Sequence, residues 1–158
     1  MVLLAYILIL IIIFLCLRYF AIVLQSLLRL GMSKILNTSN KSEMAVGYGT
    51  LYGDMCGGFS PIKDCLKTRV YELSAYRNTI SPAIPQAVID RAPSAELAPD
   101  QFDQDNLPEY DVLDQILFHY IEQDWSIAEI AKAGFDEAVV RRVASMVLMN
   151  EYKRRQGA

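Results

Sequence analysis

Apolar residues are arranged in two quite different ways along this chain. Residues 2–24 form a continuous apolar tract broken only by Arg18. From residue 38 onward apolar positions recur three and four apart, separated by polar ones. About 20 apolar residues suffice to cross a bilayer, and Arg18 lies off-centre, where its long side chain can snorkel. Residues 1–30 are therefore expected as an apolar, transmembrane-like helix that packs little against the rest, because it is hydrophobic all round. A cleavable signal fits poorly: there is no basic start, the apolar core is too long, and no small-residue cleavage pattern follows cleanly. A tract this rich in Ile, Leu, Phe and Tyr also arises when an AT-rich gene is read in a wrong frame.

Residues 31–158 read as one mainly helical unit. Residues 32–36 suggest a short strand or a helix end. Residues 38–47 suggest a helix start, with Ser39 ahead of Ser42 and Glu43 in a capping arrangement. Residues 48–59 hold four glycines and predict loop. A helix follows over 66–77, with Val70, Leu73 and Ser74 on one face, then a helical turn over 86–91. Residues 92–109 form a polar loop with three prolines, long enough to suggest function if the domain is compact. Residues 110–124 make an amphipathic helix carrying Leu113, Ile116, Leu117, Tyr120 and Ile121. A short helix over 126–133, capped by Ser126 and ended at Gly134, precedes a long final helix over 136–155 with Val139, Val143, Met146 and Val147 inward. No internal repeat and no strongly alternating strand is present.

Charge sharpens this division. After residue 36 the chain holds 12 basic and 18 acidic residues, a net charge of −6, which argues against non-specific nucleic-acid binding. The three cysteines, Cys16, Cys56 and Cys65, fit neither a disulfide framework nor a zinc pattern and favour a reducing compartment. Cys56 has no histidine nearby in sequence to activate it. His119, the single histidine, sits on the flank of a helix and reads as structural. Asp100, Asp103 and Asp105 lack the glycine of an EF-hand loop and read as a solvated acidic loop. Residues 126–147 have the pattern of a helix-turn-helix, with Gly134 at the turn and Arg141 and Arg142 beyond it. A DNA-binding module and a small membrane-anchored helical protein are thus the alternatives to an enzyme.

The densest chemistry lies in LNTSNKSEMAVGYGTLYGDMCGGFSPIKDCLKT, residues 36–68. Taken by itself it is a hydroxyl-rich helix start, then a glycine loop, then lysines. Unpaired N–H groups at helix starts and glycine loops bind anions. Glu43 suits Mg²⁺ beside a phosphate, and Lys63 and Lys67 suit phosphate charge. The plain alternative is a capped helix followed by a surface loop, since neither a Walker loop nor GxGxxG is present.

NTSNKSEMAVGYGTLYGDMCGGFSPIKD resembles the TGNKSE…YGDM-GGF…KD stretch of glutamine-dependent NAD synthetases. PSAELAPDQFDQDNLPEYDVLD and the terminal NEYKRRQ resemble that family too, in the expected order, so that the resemblance covers about residues 34–156. Ser39 departs from the glycine usual there. The resemblance implies that residues 31–158 are the C-terminal portion of an α/β synthetase domain, a parallel-sheet, adenine nucleotide alpha hydrolase-like fold. It implies ATP-dependent adenylation of deamido-NAD and amidation to NAD by ammonia from a glutaminase domain, with Mg²⁺ as cofactor. A homo-oligomeric, cytoplasmic protein that does not bind nucleic acid goes with it, although the apolar tract would place the chain at a membrane. By motif position Thr38, Lys67 and Ser94 would contact ATP, Glu43 would serve Mg²⁺ or deamido-NAD, and Lys153 would bind deamido-NAD. The basic C-terminus of a helix is the plain reading of Lys153.

The family's S-G-G-x-D-S phosphate loop does not occur in the sequence, nor does anything like its glutaminase domain. The chain by itself is therefore expected to make no NAD. Thr38, Glu43, Lys67, Ser94 and Lys153 are expected to line one open concavity.

Overall fold

The computed structural model describes residues 36–51, 53–94 and 101–157. The apolar tract of residues 1–30 lies outside the described residues. No helix among those described is long and apolar enough to cross a membrane.

The described part is helical, and no strand occurs in it. One isolated parallel bridge pairs Leu36 with Phe59, fixed by the Asn37 N–H donating to the Phe59 carbonyl at 2.8 Å. Helix α1, Lys41–Val46, is capped by Asn40 rather than by Ser39. The Asn40 side chain accepts from the Glu43 N–H, and Glu43 accepts from the Asn40 N–H. The chain leaves α1 at Gly47, at φ 78°, where only glycine is comfortable. A Cβ there would also lie 2.0 Å from Cγ of Asn150.

Helix α2 runs over Lys67–Ile80 with no residue buried. Val70, Leu73 and Ser74 share one face of it, and that face is half-buried to exposed. Leu73, Tyr76 and Ile80 stay exposed, and the Ser74 hydroxyl donates back to the Val70 carbonyl. Helix α3 spans Gln86–Asp90.

The core is built by α4, Tyr110–Leu117, which sinks Leu113, Ile116 and Leu117. The expected helix continues as a π-helical turn over Phe118–Glu122, which rotates Ile121 out to solvent. α5, Ile127–Lys132, is capped by Ser126 and Glu129. Gly134, at φ 109°, turns the chain into α6, Glu137–Met149. Val140, Val143 and Val147 of α6 close the core over Ala45, Val46, Leu113, Ile116 and Ile130. Val139 and Met146 pack only at its margin. Asn150 interrupts the expected single final helix, and α7 spans Glu151–Arg154.

His119 stacks on Trp125 with ring centroids 4.3 Å apart, the structural role expected of it. The helix-turn-helix pattern folds as a hairpin whose arginines are engaged: Arg141 with Glu137, and Arg142 with the Asn106 carbonyl. Cys56 and Cys65 are free thiols.

Candidate functional site

Helix α1 and the glycine loop after it form one wall of an open cavity of about 1050 Å³. Thr38, Glu43, Lys67, Ser94 and Lys153 all line it. Residues that lie 115 positions apart in sequence thus face one space.

Lys67 occupies the first turn of α2, and its ammonium reaches back to Glu43 Oε1 at 2.8 Å. Both side chains are about four-fifths buried (18% and 20% exposed), so the pair is screened less than a surface one. The same ammonium lies 5.4 Å from the centre of the Tyr110 ring. The other oxygen of Glu43 accepts from the Asn40 N–H at 3.1 Å. No group of three or more His, Cys, Asp or Glu positioned for a metal occurs among the described residues. Mg²⁺ is ordinarily held by one or two carboxylates together with substrate phosphates, and among the described residues Glu43 and Asp103 are the carboxylates that line this cavity.

Three N–H groups of the helix start read as an anion site are engaged. The N–H groups of Asn40 and Glu43 are used in the capping box, and that of Lys41 donates to the Cys65 carbonyl. The positive charge in the cavity is supplied by lysines.

Lys153 lies at the other side of the glycine loop. Its ammonium donates to the carbonyls of Gly47 at 2.6 Å and Gly49 at 3.1 Å. Asn150 donates to the Val46 carbonyl at 3.0 Å and Arg154 to that of Ala45 at 2.8 Å. The last turns of the chain thus satisfy the carbonyls at the end of α1 that the helix leaves unpaired and fix the path of the loop. Ser94 donates to the Gln101 carbonyl and holds the two described ends of the polar loop together. Thr38 is exposed.

Asn37 was not expected at this site, and Asp103, expected in a solvated acidic loop, is instead buried against the cavity. Asn37 is 1% exposed, and its side chain accepts from the Ser39 N–H at 2.8 Å. Ser39 Oγ and Asp103 Oδ1 line the cavity, are buried, and have no hydrogen-bond partner. The other oxygen of Asp103 accepts from the Tyr110 hydroxyl at 2.7 Å. Burial pushes the Tyr110 phenol well above the ordinary tyrosine range, and the bond to Asp103 adds to this. The one local signal was an aspartate directly after an apolar residue in an otherwise polar loop. Its partner Tyr110 is a helix start that sequence spacing could not pair with it.

Lys41 ties the back of α1 to Asp64 and Glu122. Burial works against its charge, but the two carboxylates outweigh burial and raise its pKa. In return the Lys41 ammonium holds Asp64 below the usual carboxylate range.

Known proteins agree with the motifs. A glutamine-dependent NAD(+) synthetase from Acinetobacter baylyi is 62% identical over 126 residues, and one from Aquifex aeolicus is 57% identical over 122. These alignments cover 78% and 77% of this chain but only 23% and 22% of those relatives, so the chain spans under a quarter of their length. A structure of NMN synthetase from Francisella tularensis superposes with a TM-score of 0.57 over 75% of this chain and 43% of that one, at 24% identity. That likeness gives the fold alone, helical in the described part. The family model for NAD synthase matches residues 18–157, beginning inside the apolar tract. With 140 of the 158 residues inside that match, the chain belongs to the NAD synthase family.

Proposed function

We propose that this chain forms the C-terminal wall of the nucleotide cleft of a glutamine-dependent NAD synthetase. In that reading ATP adenylates the carboxylate of deamido-NAD with release of pyrophosphate, and ammonia from glutamine then displaces AMP to give NAD. The observation that carries it is the meeting of Thr38, Glu43, Lys67, Ser94 and Lys153 in one cavity. Its volume of about 1050 Å³ reaches the upper end of the usual range for small-molecule sites, about 300–1,000 Å³, as a nucleotide pair requires.

The residues divide the work by chemistry. Lys67, held against Glu43, exchanges one carboxylate oxygen for a phosphate oxygen when the triphosphate enters. Thr38 and Ser94 contribute hydroxyls to ATP. Asp103 Oδ1 only accepts hydrogen bonds when ionised and suits a ribose hydroxyl or an amine. Lys153, through the loop that it holds, serves the deamido-NAD end, with Glu43 between the two ligands. A cytoplasmic setting, a glutaminase domain as the ammonia source and assembly into homo-oligomers go with this reading.

The test is calorimetric titration of the chain with ATP and with deamido-NAD. Lys67→Ala removes a charge-assisted contact of about 1.5–3 kcal/mol, so ATP affinity should fall roughly 10- to 150-fold. Deamido-NAD affinity should fall less in Lys67→Ala and more in Lys153→Ala. ATP binding that is absent, or indifferent to Lys67→Ala, would remove the basis of the reading.

A further inference from the structure

The first turn of α2 is built in an unusual way. A helix start leaves its first N–H groups without intrahelical partners, and the side chain before the helix normally supplies one. Here that residue is Leu66, which has nothing to offer. The partners come from elsewhere in the fold. The Lys67 N–H donates to Ser42 Oγ at 2.9 Å, and the Thr68 N–H donates to Asp114 Oδ2 at 2.8 Å. Ser42, in turn, donates its hydroxyl proton to Asp114 Oδ1. One carboxylate, 3% exposed, therefore closes the start of α2 directly through Thr68 and indirectly through Ser42.

We propose that Asp114 is a positioning residue for Lys67. It does not line the large cavity. It borders a smaller one of about 290 Å³, with Leu66, Thr68 and His119. Its effect on the candidate site runs through backbone: it fixes two successive N–H groups at the residue that carries the ammonium and at the next one. Ser42 and Glu43 are neighbours on α1, so the link that anchors the Lys67 backbone and the carboxylate that receives its ammonium share one short helix. Without Asp114 the Thr68 N–H loses its acceptor, and Ser42, which caps Lys67, loses the acceptor that orients its hydroxyl. Lys67 is then free to leave Glu43, and the donor prepared for a phosphate is no longer prepared. A carboxylate also favours a helix start electrostatically, and its charge-assisted bonds are stronger than neutral ones.

The inference rests on the proposed function where it says what Lys67 is prepared for, so the experiment reads it first without any nucleotide. The whole chain is reductively methylated with ¹³C-formaldehyde, and the Lys67 methyl signal is assigned with Lys67→Ala. Glu43→Gln gives the signal of an unpaired Lys67. Asp114→Asn keeps one acceptor and should move the signal part of the way towards that reference, and Asp114→Ala all the way. If Asp114→Ala does not fold, Asp114→Asn carries the test alone. A Lys67 signal unchanged in Asp114→Asn overturns the proposal.

The second measurement is ATP titration of the same variants. Asp114→Asn should weaken ATP several-fold, and the loss should vanish in the Lys67→Ala background, because the residue acts through that ammonium. A merely structural role would instead give losses that multiply, and that result also overturns the proposal. If the unaltered chain binds no ATP, the proposed function falls while the methyl signal still decides the role of Asp114.

Discussion

The starts of α1 and α2 stand side by side at the cavity and are held in opposite ways. At α1 the cap is local: Asn40 and Glu43, three residues apart, satisfy each other's N–H groups. At α2 the cap is borrowed from Ser42 and Asp114, which lie 25 and 46 residues from the N–H groups they accept. The local cap would form in any chain that placed this sequence at a helix start. The borrowed one exists only once α1, α2 and α4 have assembled, so it couples packing of the core to the position of Lys67. The difference suggests that removing a borrowed cap damages more than removing a local one, because one residue holds several elements.

The largest effect is expected from Asp114→Ala, which leaves the Ser42 hydroxyl proton and the Thr68 N–H without their acceptors. At about 1–3 kcal/mol for each group left unsatisfied, urea unfolding should show a loss of about 3 kcal/mol. A loss no larger than that of Asn40→Ala would break the comparison.

Gly47→Ala should come next, at about 2–3 kcal/mol. It places an alanine at φ 78°, a left-handed conformation that costs about 1 kcal/mol or more, and drives its Cβ into Asn150. The unfolding midpoint should fall.

Tyr110 gives a pH dependence. The unfolded chain ionises this tyrosine near its ordinary value of 10.0, whereas the buried phenol keeps its proton. The stability it contributes is complete below pH 10 and declines above it, by up to about 1.4 kcal/mol per pH unit. Unfolding measured between pH 8 and 11 should show this slope, and Tyr110→Phe should flatten it.

Asn40→Ala should cost about 1 kcal/mol, the usual value of a local cap, and should leave the Lys67 methyl signal nearer to that of the unaltered chain than Asp114→Asn does. The smallest effect is expected from Glu72→Ala. Its pair with Arg69 is nearly two-thirds exposed on both sides, and unfolding should change by less than about 0.5 kcal/mol.

Much of this was readable from residues alone. The cap at Ser126, the break at Gly134 and the buried stripe of Leu113, Ile116 and Leu117 follow from spacings of three and four, because a helix brings such residues together whatever surrounds it. The family motifs named five site residues, and the cavity brings all five together. Spacing could not choose between Ser39 and Asn40 as the cap of α1, since both precede a suitable partner. The choice fell to Asn40 because the Ser39 N–H is already committed to the Asn37 side chain. Nor could periodicity tell that Leu73 stays at the surface. That depends on what lies opposite, and α2 has no buried face among the described residues.

By itself the sequence determined which segments are helices, where most of them stop, and which motifs tie the chain to the NAD synthase family. These are properties of neighbours in the chain, where a few residues fix the backbone. The tertiary structure alone decided that Lys67 rests on Glu43, that Lys153 holds the carbonyls of the glycine loop, and that Asp114 closes the start of α2. Each of those contacts joins groups at least 24 positions apart. No local rule specifies such a pairing; it is selected because buried polar groups left without partners cost more than the packing that unites them.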